Sequence, residues 1–155
     1  MPELNFIRTG EKPDVIGHTL MNEGMERKSK LRVNNGDLTI SGIDNQYGEI
    51  TPCVVEGEIR CTGNVIIKNG AIVEGKIFCN GDINIEKGAT IKSGAVLISR
   101  KGSVIITGAT LSGGASKSSR ETFIFADKDL KVERTDIRNV NNHNPLLLEG
   151  LNITC

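Results

Sequence analysis

The chain has 155 residues and 37% hydrophobic content, enough for one domain around one compact core. Lys plus Arg and Asp plus Glu number 19 each, so no net field draws the protein onto nucleic acid or anionic lipid, and nucleic acid is excluded as a partner on charge. Aromatic residues are only 3% and Trp is absent, which removes base- and sugar-stacking platforms and requires an aliphatic core.

Residues 1–30 show neither helical nor strand periodicity beyond small apolar spots at Phe6-Ile7 and Val15-Ile16, and read as a flexible N-terminal tail preceding a domain over 31–155. No basic-apolar-small signal opens the chain. The four cysteines, Cys53, Cys61, Cys79 and Cys155, form no C-x-x-C pair, which predicts reduced thiols in the cytoplasm. Apolar runs such as 95–98 and 123–126 are only four residues long, against the roughly 20 that cross a bilayer, so a soluble protein is expected.

Gly36-Asp37-Leu38-Thr39-Ile40 marks the first strand of the domain, out of phase with the hexads downstream. A six-residue ladder carried back from Val55 lands on Glu49, so Asn45-Gln46-Tyr47-Gly48 is expected to hold an extra loop.

From residue 53 the chain copies itself: Val55-Glu56-Gly57-Glu58-Ile59 returns as Val73-Glu74-Gly75-Lys76-Ile77. An aliphatic or Cys residue recurs at every sixth position, at Val55, Cys61, Ile67, Val73, Cys79, Ile85, Ile91 and Leu97. Two places before each stands another small or apolar residue, from Cys53 and Ile59 to Ala89 and Ala95. Alternation of this kind marks a strand with one buried face, and two inward residues per hexad limit each strand to about three or four residues. Gly57, Gly63, Gly75 and Gly81 follow as corner residues, and 18 Gly against 4 Pro suits many tight turns. Three hexads close one triangular coil of about 18 residues, with strands stacked about 4.8 Å apart. The predicted fold is therefore all-β, a parallel β-helix of about six coils, regular to about residue 114 and irregular after.

The repeat is expected to hold until Arg100 and Lys101, where a small loop bulges and Gly102-Ser103-Val104-Ile105-Ile106 resumes the pattern of Gly81-Asp82-Ile83-Asn84-Ile85. A second excursion is expected at 117–121. Phe123 and Phe125 then begin a strand, Leu130 and Val132 come next, and 146–148 with 151–153 complete a last coil.

Hexads with Gly at the third place, aliphatic ladders and a polar N-terminal stretch resemble the bactofilin family of polymer-forming bacterial cytoskeletal proteins. The resemblance rests on stretches such as Val55-Glu56-Gly57-Glu58-Ile59-Arg60 and Val73-Glu74-Gly75-Lys76-Ile77. It covers 53–114 closely and 36–52 and 115–155 loosely. It implies a right-handed β-helix that assembles end to end into filaments without nucleotide, with itself as first partner and cell-envelope or scaffold proteins as others. The expected place is the cytoplasm or the inner face of the membrane, with the tail as the membrane contact.

Catalytic, cofactor and metal sites are not expected, and the chain does not read as an enzyme. Hexapeptide-repeat acyltransferases place Gly immediately after the aliphatic residue, one position earlier than here, and need a catalytic His. Only His18 and His143 exist, in the tail and in a polar Asn-rich turn. Asp82 and Glu86 flank one strand as carboxylates of a β-helical lyase or hydrolase would, but outward charges at alternating positions such as Glu56, Glu58, Glu74, Lys76 and Lys92 read as solvated faces. Gly75-Lys76 lacks the Ser or Thr of a phosphate loop. Cys61 and Cys79 should stack in adjacent coils as core thiols, with Leu97 next in their ladder. The alternative function is a capped β-helical binding module or a phage or effector scaffold component.

Two surfaces stand out. Outward apolar residues are expected to stack as Val54 with Ile72 and as Phe78 with Val96, giving a lateral packing or docking strip. Leu38, Ile40 and Ile43 form the expected assembly interface, because the coil that holds them would offer a clean strand edge once the tail moves aside. The opposite end is expected to be guarded by 139–144, Pro145 and Cys155, since Pro cannot donate a ladder hydrogen bond.

Overall fold

Short strands that alternate inward and outward bury their apolar side only if the chain turns back after each one and stacks the next turn on top. A computed structural model of the chain, which describes residues 3–4, 14–16, 19–21, 30–34, 36–44, 50–112, 122–138 and 146–155, has this form, and among these residues every regular element is a strand. The protein is an all-β parallel β-helix with three faces.

Among the described residues the first face carries eight strands, Glu3–Leu4, Thr19–Met21, Leu38–Ile40, Val65–Ile67, Ile83–Ile85, Val104–Thr107, Asp129–Glu133 and Asn152–Thr154. The second carries seven, Asp14–Ile16, Lys30–Asn34, Glu58–Cys61, Lys76–Cys79, Val96–Ser99, Thr122–Ala126 and Leu146–Glu149. The third carries five, Cys53–Val55, Ala71–Val73, Thr90–Ile91, Thr110–Ser112 and Asp136–Arg138. From Cys53 onward the chain visits the third, second and first faces in turn, and neighbouring strands on each face run parallel.

The inward ladder from Cys53 to Leu97 is buried throughout, with Cys61, at 4%, its most exposed member. Each fully buried Ile, Leu or Val contributes about 1.5–3 kcal/mol before conformational entropy is charged against it, so a file of such residues supplies the cohesion that few aromatics could. Val65 stacks on Ile83, Ile59 on Ile77 and Cys53 on Ala71, as the hexads require.

Between the second and first faces a polar ladder runs from Asp37 to Asn152. Asp37 Oδ1 accepts the backbone N–H of Asn64 (2.7 Å), Asn64 Oδ1 that of Asp82 (2.8 Å), Asp82 Oδ1 that of Ser103 (2.8 Å), and Ser103 Oγ that of Asp129 (3.2 Å). Asn152 Nδ2 then donates to Asp129 Oδ1 (3.0 Å). Asp37, Asn64, Asp82 and Ser103 each satisfy a backbone N–H at the start of the next first-face strand. Carboxylates alternate with neutral rungs, so no two aspartates stack directly. A Cβ at Gly63, Gly81 or Gly102 would strike the side-chain oxygen of the rung below, which fixes glycine at these corners.

Several expectations change. Asp14–Ile16 and Thr19–Met21 lie in the stretch read as a tail, yet they pair with 32–34 and 38–40, so the ladder runs upstream of residue 31. Leu38 pairs with Val65 and Ile40 with Ile67, each 27 positions on. The nine residues beyond a regular coil are taken up around an antiparallel pair, Ile43–Asp44 with Ile50–Thr51, and the loop expected at 45–48 lies outside the described residues. The 18-residue spacing fails before Arg100: Ile77 pairs with Leu97 and Phe78 with Ile98, because the corner at 92–95 is two residues longer than its counterpart at 74–75. Gly94 takes a positive φ of 83° there. The resumed pattern at 102–106 holds, with Ile83 on Val104 and Ile85 on Ile106. Strands at 122–126, 129–133, 146–149 and 152–154 continue the helix to its end, whereas the excursion at 117–121 lies outside the described residues.

Candidate assembly surface

An inward side chain is covered by the coils on both sides of it, so the last coil of a solenoid stands half uncovered. Among the described residues nothing pairs with the far side of Asp136–Arg138, Leu146–Glu149 or Asn152–Thr154. Ile137 stacks on Leu111 and Ile153 on Leu130; the two leucines are 0% exposed, whereas Ile137 is 48% and Ile153 50% exposed. Leu151, at the corner between them, is 77% exposed. Beside these residues lies a cavity of about 410 Å³ lined by Phe125, Asp127, Leu148, Leu151 and Ile153. Two ion pairs lie nearby, Arg138 Nη2 with Asp136 Oδ2 (2.6 Å) and Lys131 Nζ with Glu133 Oε1 (3.1 Å). This end combines apolar side chains with an open row of backbone donors and acceptors, the combination that templates further strand pairing.

The expected interface lies elsewhere and is not bare. Leu38 and Ile40 are 0% exposed, pointing into the core, and their strand is paired upstream by Thr19–Met21. Ile43 sits in the antiparallel pair, off the three faces. The guard expected from 139–144 and Pro145 lies outside the described residues, while Cys155 is exposed beside the open coil.

Of the expected strip, Val54 and Ile72 do stack on the third face, each half-buried. Phe78 and Val96 do not stack: Phe78 lies between Arg60 and Ile98, and Val96 between Lys76 and Phe123. The longer corner at 92–95 moves the second-face strand that follows it by two places. The outward apolar residues of the second face therefore gather as Phe78, Val96, Ile98, Phe123 and Phe125, with the rings of Phe123 and Phe125 edge to face at 6.4 Å.

Cys53, Cys61 and Cys79 are core residues. Cys61 stacks on Cys79, and the next rung is Ser99, not Leu97. Cys61 Sγ donates to Gly36 O (3.3 Å), and Cys79 Sγ to Gly81 O (3.2 Å). Burial pushes Cys53 up to about 11 and Cys79 up to about 12; the neighbouring Cys61 and Asp82 also raise Cys79. Ser99, fully buried, is satisfied, donating to Gly81 O (2.6 Å) and accepting the Gly102 N–H (3.0 Å). His18 and His143 lie outside the described residues, and among those described no group of three or more His, Cys, Asp or Glu is placed to hold a metal ion. No helix among them is long and apolar enough to cross a membrane.

The corner ladder was not expected from the hexads although its signal stands in the sequence: Gly36-Asp37, Gly63-Asn64, Gly81-Asp82 and Gly102-Ser103 each precede a first-face strand. A three-faced stack of coils tied by this ladder, with an apolar end, defines a β-solenoid protein. No family model, no curated protein and no solved structure matches the chain.

Proposed function

We propose that this protein is a structural, self-assembling component whose coils dock end to end into nucleotide-independent filaments. The observation that carries the reading is the coil of 136–138, 146–149 and 152–154, where Ile137, Leu151 and Ile153 stand 48%, 77% and 50% exposed at a strand edge that nothing pairs with among the described residues. Docking a second copy there would remove that apolar surface from water at about 25 cal/mol per Å² and continue the hydrogen-bond ladder. Resemblance of the hexads to bactofilins supports the same reading, and with it a scaffold in the cytoplasm or at the inner face of the membrane that holds envelope proteins. Negative-stain microscopy of the full chain without nucleotide, across salt and protein concentration, tests it: filaments are expected, and small particles under every condition would overturn it. The outward cluster Val96, Ile98, Phe123 and Phe125 favours a second reading, a β-helical binding module, for which a monodisperse particle is the expected result.

A further inference from the structure

The second face carries a cationic cavity that end-to-end docking does not use. Arg32, Arg60 and Phe78 occupy one outward column in consecutive coils, preceded in the ladder by Asp14. Alongside, Thr62, Asn80 and Arg100 stand just past the corner, where the Asn80 N–H donates to Cys61 O (3.1 Å) and the Arg100 N–H to Cys79 O (2.8 Å). Between these two columns lies a cavity of about 320 Å³ whose lining includes all six residues. Arg60 is held in place twice: its Nε donates to Glu58 Oε2 (3.2 Å), and its guanidinium lies over the Phe78 ring at 4.8 Å. Arg32 and Arg60 stand directly opposite one another in neighbouring coils. Three guanidiniums from three coils thus face one small concavity in a chain whose net charge is zero.

We propose that this cavity binds a phosphate group. Guanidinium forks match phosphate oxygens two at a time, and each carries five N–H donors, so one can hold a protein partner and still donate to an anion. The Asn80 amide adds a neutral donor. The volume sits at the low end of small-molecule sites, which suits a phosphate monoester with a small organic part. A soluble phosphate ester and a phospholipid headgroup share this chemistry.

Calorimetric titration of the full chain with inorganic phosphate and with glycerol phosphate, beside flotation with phosphatidylcholine vesicles containing phosphatidic acid, tests the site and separates the sources. Saturable binding that salt weakens is expected, with a loss of about tenfold or more for Arg100→Gln and for Arg32→Gln. Lys87→Gln, on a different corner, should leave it unchanged. Arg100 is exposed, so its variant should keep the parent circular dichroism spectrum, against which folding is checked. Vesicle flotation lost in Arg100→Gln assigns a lipid headgroup; binding of the soluble ester alone assigns a metabolite. Absence of saturable binding in both titrations and of flotation with the vesicles, or binding that survives the Arg32→Gln and Arg100→Gln double substitution, overturns the proposal.

Discussion

Asn64 stands between two aspartates in the corner ladder: its own N–H donates to Asp37 Oδ1 at 2.7 Å, and its Oδ1 accepts the N–H of Asp82 at 2.8 Å. The neutral amide keeps the carboxylates of Asp37 and Asp82 from becoming neighbours. Asn64→Asp preserves an acceptor but stacks three carboxylates in succession, so its melting temperature should fall at low salt and recover at high salt, a cost of about 0.2–1 kcal/mol. Asn64→Ala removes the acceptor and should cost about 1 kcal/mol at every salt concentration. Thermal denaturation at two ionic strengths separates them; identical salt dependence would refute the alternation argument.

The assembling end can be tested against the core. Ile137→Lys and Ile153→Lys change side chains already half in water, so each should stay within about 1 kcal/mol of the parent while abolishing pelleting in sedimentation. Leu38→Lys buries a charge at a fully enclosed position and should cost several kcal/mol, with loss of the strand signal in circular dichroism. Parent-like pelleting of Ile137→Lys and Ile153→Lys would move the interface elsewhere.

Thiol chemistry is governed by burial. At neutral pH only Cys155 should react promptly with an aromatic disulfide reagent, since Cys53, Cys61 and Cys79 are buried and their folded pKa values are raised. The folded state holds these protons more tightly than the unfolded chain, so the stabilisation is complete below about 9, the ordinary thiol value, and is lost as pH rises toward 11–12. Cys79→Ala should flatten that alkaline loss, measured as urea stability at pH 8 and pH 11. Equal slopes in parent and variant would contradict it.

Arg134 takes a positive φ of 50° where the preceding coils use Gly108, Gly88 and Gly70, each two residues before the aligned third-face positions Asp136, Thr110, Thr90 and Ile72. A side chain in this left-handed conformation costs about 1–2 kcal/mol, partly offset by the smaller backbone entropy that arginine loses. Arg134→Gly should therefore raise the unfolding midpoint, by up to about 1 kcal/mol in chemical denaturation. A lower midpoint would show that the side chain contributes more than the backbone loses.

The sequence by itself determined the coil. Apolar residues two apart, repeated every six from Cys53 to Leu97, can all be buried only by a strand that turns after each pair, and all of them are buried. It did not determine how later coils sit on earlier ones. A two-residue lengthening at 92–95 leaves Ala95, Leu97 and Ser99 all inward, because a shift of two preserves the side a residue faces; the slip is invisible to alternation and shows only when Leu97 is seen on Ile77 and Ser99 on Cys79. Exposure of the end was equally beyond the pattern. Ile153 and Ile83 each follow an Asn or Asp and stand in the same inward column of the first face, and what separates a half-exposed isoleucine from a buried one is whether a further coil lies above it, which only the tertiary stack decides.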